Sequence, residues 1–288
     1  MTHLQSSGYL PVSDNHQLYW ERHGREGAEP VFFLHGGPGG CSSRDHLAFF
    51  NLEHFDIVLF DQRGGGRSTP HGERLGNETE RIIDDIETLR EHFGFAQITV
   101  LGVSWGSWLA LKYAWQRPSH VHRLVLASLF VPSPENLVIY HHALTRYLSA
   151  KAFTSFEQVC EDLDQPCRQL QRQAALAWVG AALHLNRQRM DKAALEHFID
   201  DVAVRAIRLE VHYHRAGYFF HEQDQGLMLR CSCQVIQGIH DPVGLSSLRW
   251  LRQRALLKCR LFRAGHDAFD PVLVSGIEQS LMATNRGQ

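Results

Sequence analysis

The sequence predicts an α/β fold: a mostly parallel central sheet flanked by helices, interrupted by one inserted helical block. Three observations predict it. First, Val31-Phe32-Phe33-Leu34, Ile57-Val58-Leu59-Phe60, Ile98-Thr99-Val100-Leu101 and Leu124-Val125-Leu126-Ala127 are short apolar runs without alternation, as in strands buried on both faces. Second, helix-like segments separate the later runs, which implies crossover connections and parallel pairing. Third, from about position 135 to about 229 the pattern is helical and rich in Gln, Arg, Ala and His, and strand character returns only at Cys233-Gln234-Val235-Ile236 and 258–262. Residues 1–131 and 230–288 are therefore assigned to the sheet domain, and 132–229 to a helical cap.

The elements follow in order. Residues 9–12 and 18–22 alternate around Asp14-Asn15, which suggests an N-terminal hairpin. The run at 31–34 opens into His35-Gly36-Gly37-Pro38-Gly39-Gly40, and the run at 57–60 into Asp61-Gln62-Arg63-Gly64-Gly65-Gly66-Arg67-Ser68. A helix follows, with Asn77 as its cap, Glu80 three residues on, and Ile82, Ile83, Ile86, Leu89 and Phe93 on one apolar face; Gly94 ends it. The run at 98–101 leads through Gly102-Val103-Ser104-Trp105-Gly106 into a helix over 107–115. The last helix is expected over 271–284.

Composition narrows the function. The 288 residues are 44% hydrophobic and 21% charged, enough for one large core. A formal net charge of −2 argues against binding nucleic acid by phosphate neutralisation. No membrane span and no signal peptide are read from the chain. The six cysteines are scattered, so reduced thiols and a cytoplasmic setting are expected. The 19 histidines invite a metal reading, but neither His141-His142 nor His212-Tyr213-His214 has zinc-helix spacing. No metal and no cofactor are expected.

A serine between two glycines at a strand-to-helix junction is the mark of a sharp turn that exposes a nucleophile. Alone the pattern is common; its position after a buried strand gives it weight. Serine needs a base to take its proton and a third group to orient that base. Asp241 follows the strand at 233–236 and His266 follows the strand at 258–262, so both fall at the carboxyl edge of the sheet, beside Ser104. Asp267 and Asp270 are competing acids, but they lie too close to His266 in sequence for a natural geometry. An oxyanion would be held by the backbone N–H of Trp105 and by one from the 35–40 loop. Gly37 is the choice there, because Pro38 has no N–H.

Together the segments 35–40, 61–68 and 102–107 resemble the proline iminopeptidase family of α/β-hydrolases. That resemblance implies an α/β-hydrolase fold and a cytoplasmic serine peptidase that removes N-terminal proline from short peptides or small amides. It implies that Asp61 and Arg63 are scaffold near the site. It also implies that Glu210, two residues before His212-Tyr213, binds the free amine of the substrate. A second carboxylate of the family falls on Ala182 in this chain, after Trp178. Ala127-Ser128-Leu129 and Ile239-His240 also depart from the family pattern. The leading expectation is a serine hydrolase working through an acyl-enzyme, with Ser104, His266 and Asp241 as its triad. An amidase or esterase with the same triad, acting on small non-peptide substrates, is the alternative. A non-catalytic binding protein of hydrolase form is the reading from another class.

Overall fold

The computed structural model describes residues 4–149, 155–185 and 190–283. Strand β1 (Leu4–Pro11) pairs antiparallel with β2 (Gln17–Gly24). Asp14 and Asn15 turn the hairpin with φ of 59° and 61°, a left-handed conformation that short polar side chains tolerate. The four apolar runs become β3 (Glu29–Leu34), β4 (Phe55–Phe60), β5 (Ile98–Val103) and β6 (Val121–Ala127). Helix α1 (Thr79–His92) joins β4 to β5, and α2 (Trp105–Gln116) joins β5 to β6. After β6 come α3 (Pro134–Ser149), α4 (Phe156–Asp164), α5 (Arg168–Leu185), α6 (Lys192–Phe198) and α7 (Asp201–Arg215). The chain then returns through β7 (Ser232–Gly238), α8 (Pro242–Arg252), β8 (Leu257–Phe262) and α9 (Pro271–Met282). Position 284, placed in the last helix by the sequence, lies outside the described residues.

The eight strands form one sheet in the order β1-β2-β4-β3-β5-β6-β7-β8, parallel from β4 to β8. Successive residues of one strand feed opposite layers. Phe32, Leu34, Val58 and Phe60 pack with α1, α2 and α8, whereas Val31, Phe33, Ile57 and Leu59 pack with α9. This two-sided burial is why the strands carry no polar alternation. The helices of the insert close a third cluster of their own, built on Leu144, Phe156, Val159, Trp178, Val204 and Ile207.

One expectation needs correction. Asn77 does not cap α1; Glu78 holds the cap position and makes no side-chain bond there. The Asn77 amide is fully buried and has other partners. It donates to the carbonyls of Arg63 (3.0 Å) and Glu73 (2.9 Å) and accepts from the Tyr213 hydroxyl (2.7 Å). At the other end of the sheet Asp241 caps α8 by accepting from the Gly244 N–H, and Pro242 takes the first helical position, where a missing N–H costs nothing.

Candidate active site

The crossing of β5 and α2 dictates the local geometry of Ser104. A Cβ on Gly102 would lie 2.4 Å from the Gly106 carbonyl oxygen, and one on Gly106 only 2.0 Å from that of Leu34. Only glycine permits this approach. Between them Ser104 is held at φ 54°, ψ −123°, a strained conformation that presents its hydroxyl beyond the strand end.

Three residues far apart in sequence meet here. His266 Nε2 is 2.8 Å from Ser104 Oγ, and His266 Nδ1 is 2.7 Å from Asp241 Oδ2. Asp241 is buried at the head of α8. Burial pushes its carboxyl up, but His266, the Gly244 N–H and the Gln237 amide outweigh that and hold it below the ordinary carboxylate value. Gln237 ties the acid to the segment after β6: its Nε2 donates to Asp241 Oδ2 (2.8 Å) and its Oε1 accepts from the Leu129 N–H (2.8 Å). Sequence reasoning misses Gln237, which lies within the continuous β7 run. The competing acids are engaged elsewhere: Asp267 accepts from the Phe269 N–H and Asp270 caps α9.

The 35–40 loop lies against Ser104. A Cβ on Gly36 would stand 3.3 Å from that of Ser104. Gly37 has φ 132° and lines the cavity in front of the serine. The Trp105 N–H opens α2 and so has no acceptor within the helix. His35 braces the loop: its Nδ1 meets the Gly36 carbonyl (2.7 Å), and its Nε2 accepts from the Gln62 N–H (3.0 Å). Gln62 in turn accepts from the Trp105 indole (3.2 Å). Asp61 and Arg63 sit in buried networks beside this loop. Asp61 accepts from Ser42 and Arg67, and Arg63 grips Asp85 through Nε (2.7 Å) and Nη2 (2.5 Å).

The cavity, of about 160 Å³, is lined by Gly37, Ser104, Phe130, Tyr140, Ala182, Glu210, Tyr218, Val243 and His266. Ala182 on α5 and Glu210 on α7, both singled out in sequence, thus share one space with Ser104. Burial pushes the Glu210 carboxyl up to about 7, and only the Trp178 indole acts in the other direction. Tyr140 and Tyr218 face the same space with raised phenol values, from burial first. Tyr218 holds a left-handed backbone (φ 55°, ψ 26°), so strain accumulates at this wall as well. Of the departures from the family pattern, Ile239 and His240 are exposed and lie off the cavity, while Ser128 is buried with φ 48°.

Helix α7, which carries Glu210, rests on glycines of the loops after β3 and β4. A Cβ on Gly39 would come within 2.4 Å of the Ala206 carbonyl oxygen, and one on Gly72 within 2.7 Å of Arg205 Cβ. Gly39 also has φ 80°. Gly39→Ala is therefore expected to cost about 2–4 kcal/mol, from the left-handed backbone and the clash together. A denaturant midpoint unchanged from wild type would show that α7 does not need this close approach.

Among the described residues, no group of three or more His, Cys, Asp or Glu is placed to hold a metal ion. No helix among them is long and apolar enough to cross a membrane. His212 approaches the Asn77 carbonyl (3.1 Å), and His214 packs against Phe156 and Trp178.

A serine–imidazole–carboxylate chain at the carboxyl edge of a mostly parallel sheet defines a hydrolase of the α/β class, and residues 29–206 match the family model for the alpha/beta hydrolase fold. The sequence is 33% identical to a proline iminopeptidase of Arabidopsis thaliana, over 97% of this chain and 79% of that one. It is equally identical to a proline iminopeptidase of Xanthomonas citri, over 94% of this chain and 93% of that one. The chain belongs to the proline iminopeptidase family of α/β-hydrolases. Solved structures agree on the fold. A proline iminopeptidase-related protein from Thermus thermophilus has a TM-score of 0.63 at 21% identity, with 96% of this chain and 97% of that one covered. An alpha/beta hydrolase enzyme from a deep-sea metagenome has 0.71 at 14% identity, with 98% and 99% covered.

Proposed function

We propose that this hydrolase cleaves amides or esters whose acyl group carries a free N-terminal amine of the proline type, through an acyl-enzyme formed on Ser104. The observation that carries this reading is the shared cavity: Glu210 faces the same small space as Ser104 and His266. Its volume of about 160 Å³ matches about five waters, the size of a compact acyl group. In the first step His266 Nε2 takes the Ser104 proton as Oγ attacks the carbonyl carbon. The N–H groups of Gly37 and Trp105 receive the oxyanion. His266 returns the proton to the leaving amine or alcohol, and water then repeats the sequence to release the acid. Asp241 keeps the Nδ1 proton in place throughout. Residues 132–229 act as a cap over the sheet domain of 1–131 and 230–288. Six cysteines outside any disulfide support a cytoplasmic setting.

A second reading, an amidase or esterase acting on small molecules without a free amine, is favoured by Ala182, which leaves Glu210 as the sole carboxylate lining the cavity among the described residues. One experiment separates the two: turnover of proline arylamide, its N-acetylated analogue and a simple aryl ester, by wild type and Glu210→Gln. An ammonium needs Glu210 ionised, and that carboxyl loses its charge as pH falls through about 7. Preference for the free amine over the ester should therefore weaken below pH 7 and be full above it. Glu210→Gln should lower kcat/KM for proline arylamide by about 10–100-fold, the worth of one charge-assisted contact, and leave the ester unchanged. Equal losses on both substrates would remove the amine-binding role. A wild-type preference for the N-acetylated substrate would favour the second reading.

A further inference from the structure

A second cavity, of about 240 Å³, lies where the insert meets the sheet domain, with Arg74, Asp164, Arg208, His212 and Arg215 among its lining residues. Arg74 belongs to the loop before α1, Asp164 ends α4, and Arg208 and Arg215 lie on α7. Three guanidinium groups thus face one carboxylate. Asp164 is shared by Arg74 (3.0 Å) and Arg208 (3.0 Å), and Arg215 makes no ion pair with a carboxylate among the described residues. Glu78 and Glu157 act on His212 and Cys160 respectively, but neither lines the cavity. The positive field reaches the neighbouring groups. His212 is held below its ordinary value by burial first; Arg74 and Arg215 add to that, while the Asn77 carbonyl beside its Nε2 and Glu78 act in the other direction.

We infer that this cavity binds a compact polyvalent oxyanion of the phosphate type, as free phosphate or as a phosphomonoester, bridging the insert to the sheet domain. Guanidinium groups present paired N–H donors that match the oxygens of such an ion, and Asp164 leaves most of those donors free. The excess of positive charge excludes a cation. The volume holds about eight waters, which suits a phosphate or a small phosphorylated group and is too small for a nucleotide. The site stands on the face of α7 that carries Arg208, His212 and Arg215, whereas Glu210 lies between them in sequence and faces the other cavity. An anion here would fasten α7 and α4 to the Arg74 loop and so fix the helix from which Glu210 projects.

The test is inorganic phosphate on the full chain. Calorimetric titration and thermal unfolding in sodium phosphate are compared with sodium chloride of equal ionic strength, for wild type, Arg215→Ala, Arg74→Ala and a control, Arg249→Ala, on α8 away from the cavity. Wild type and Arg249→Ala should bind phosphate at one site and melt higher in phosphate than in chloride. Arg215→Ala and Arg74→Ala should each bind about tenfold more weakly or worse, with a smaller gain in melting temperature. Glycerol phosphate binding as tightly as phosphate would assign the site to phosphomonoesters, and weaker binding would assign it to the free ion. The inference fails if phosphate raises the melting temperature no more than chloride does. It fails equally if Arg215→Ala and Arg74→Ala bind phosphate as wild type does.

Discussion

Ser104→Ala is expected to lower kcat by about 10⁵–10⁶-fold while leaving the fold intact. The hydroxyl is the only group lost, and its partner in the structure is His266 Nε2 at 2.8 Å, a part-buried contact at the cavity rather than a bond within the core. The backbone strain at Ser104 is set by β5, α2 and the flanking glycines, so alanine inherits it without adding to it. The thermal midpoint should therefore move little. What disappears, in the proposed mechanism, is the nucleophile that His266 activates. A residual rate of about 10³–10⁴ over water would remain from the oxyanion donors and binding. The measurement is turnover of an aryl ester and of proline arylamide, beside labelling by a fluorophosphonate. Wild type should take one label and the variant none. Undiminished turnover in a clean preparation would end the acyl-enzyme reading.

The sheet and the three residues of that site are legible in the sequence for one physical reason. A parallel sheet buried on both faces leaves unbroken apolar runs such as 31–34 and 57–60, and its loops deliver residues to one edge. Ser104 follows such a run, and Asp241 and His266 follow the more mixed strands at 233–236 and 258–262, which end at the same edge, so their convergence can be read without contacts. Asn77 misleads because its sequence context, a polar residue three before Glu80, describes a helix cap, while its real partners lie on Arg63, Glu73 and Tyr213. Gln237 is invisible because an amide inside a strand run carries no periodic signal. Tyr140 and Tyr218 are likewise hidden: each is an ordinary aromatic of a helical segment until tertiary packing turns it toward Ser104. Glu210 and Ala182 come only through resemblance to the family, since nothing local distinguishes a carboxylate that faces a cavity from one that faces water.

The supporting acid makes the second large prediction. Asp241→Asn is expected to reduce kcat by about 10⁴-fold near neutral pH, with the fold retained. In the native site Asp241 Oδ2 accepts from both His266 Nδ1 and Gln237 Nε2, and Oδ1 accepts from the Gly244 N–H. All three neighbours donate, which a carboxylate satisfies and an amide cannot. With asparagine, the Gly244 N–H and α8 will hold the amide oxygen at the Oδ1 position, leaving the NH₂ group against His266 and Gln237. An NH₂ facing Nδ1 selects the tautomer with its proton on Nε2, and a protonated Nε2 cannot take the proton of Ser104. The Gln237 amide would then oppose another donor, so the double variant Asp241→Asn, Gln237→Glu offers a distinct check. A carboxylate at 237 would accept from the asparagine NH₂ but still leave Nδ1 facing a donor, so activity should stay low while stability recovers. If Asp241→Asn keeps more than about a tenth of wild-type kcat, tautomer control by Asp241 is wrong, and His266 must be oriented by something else.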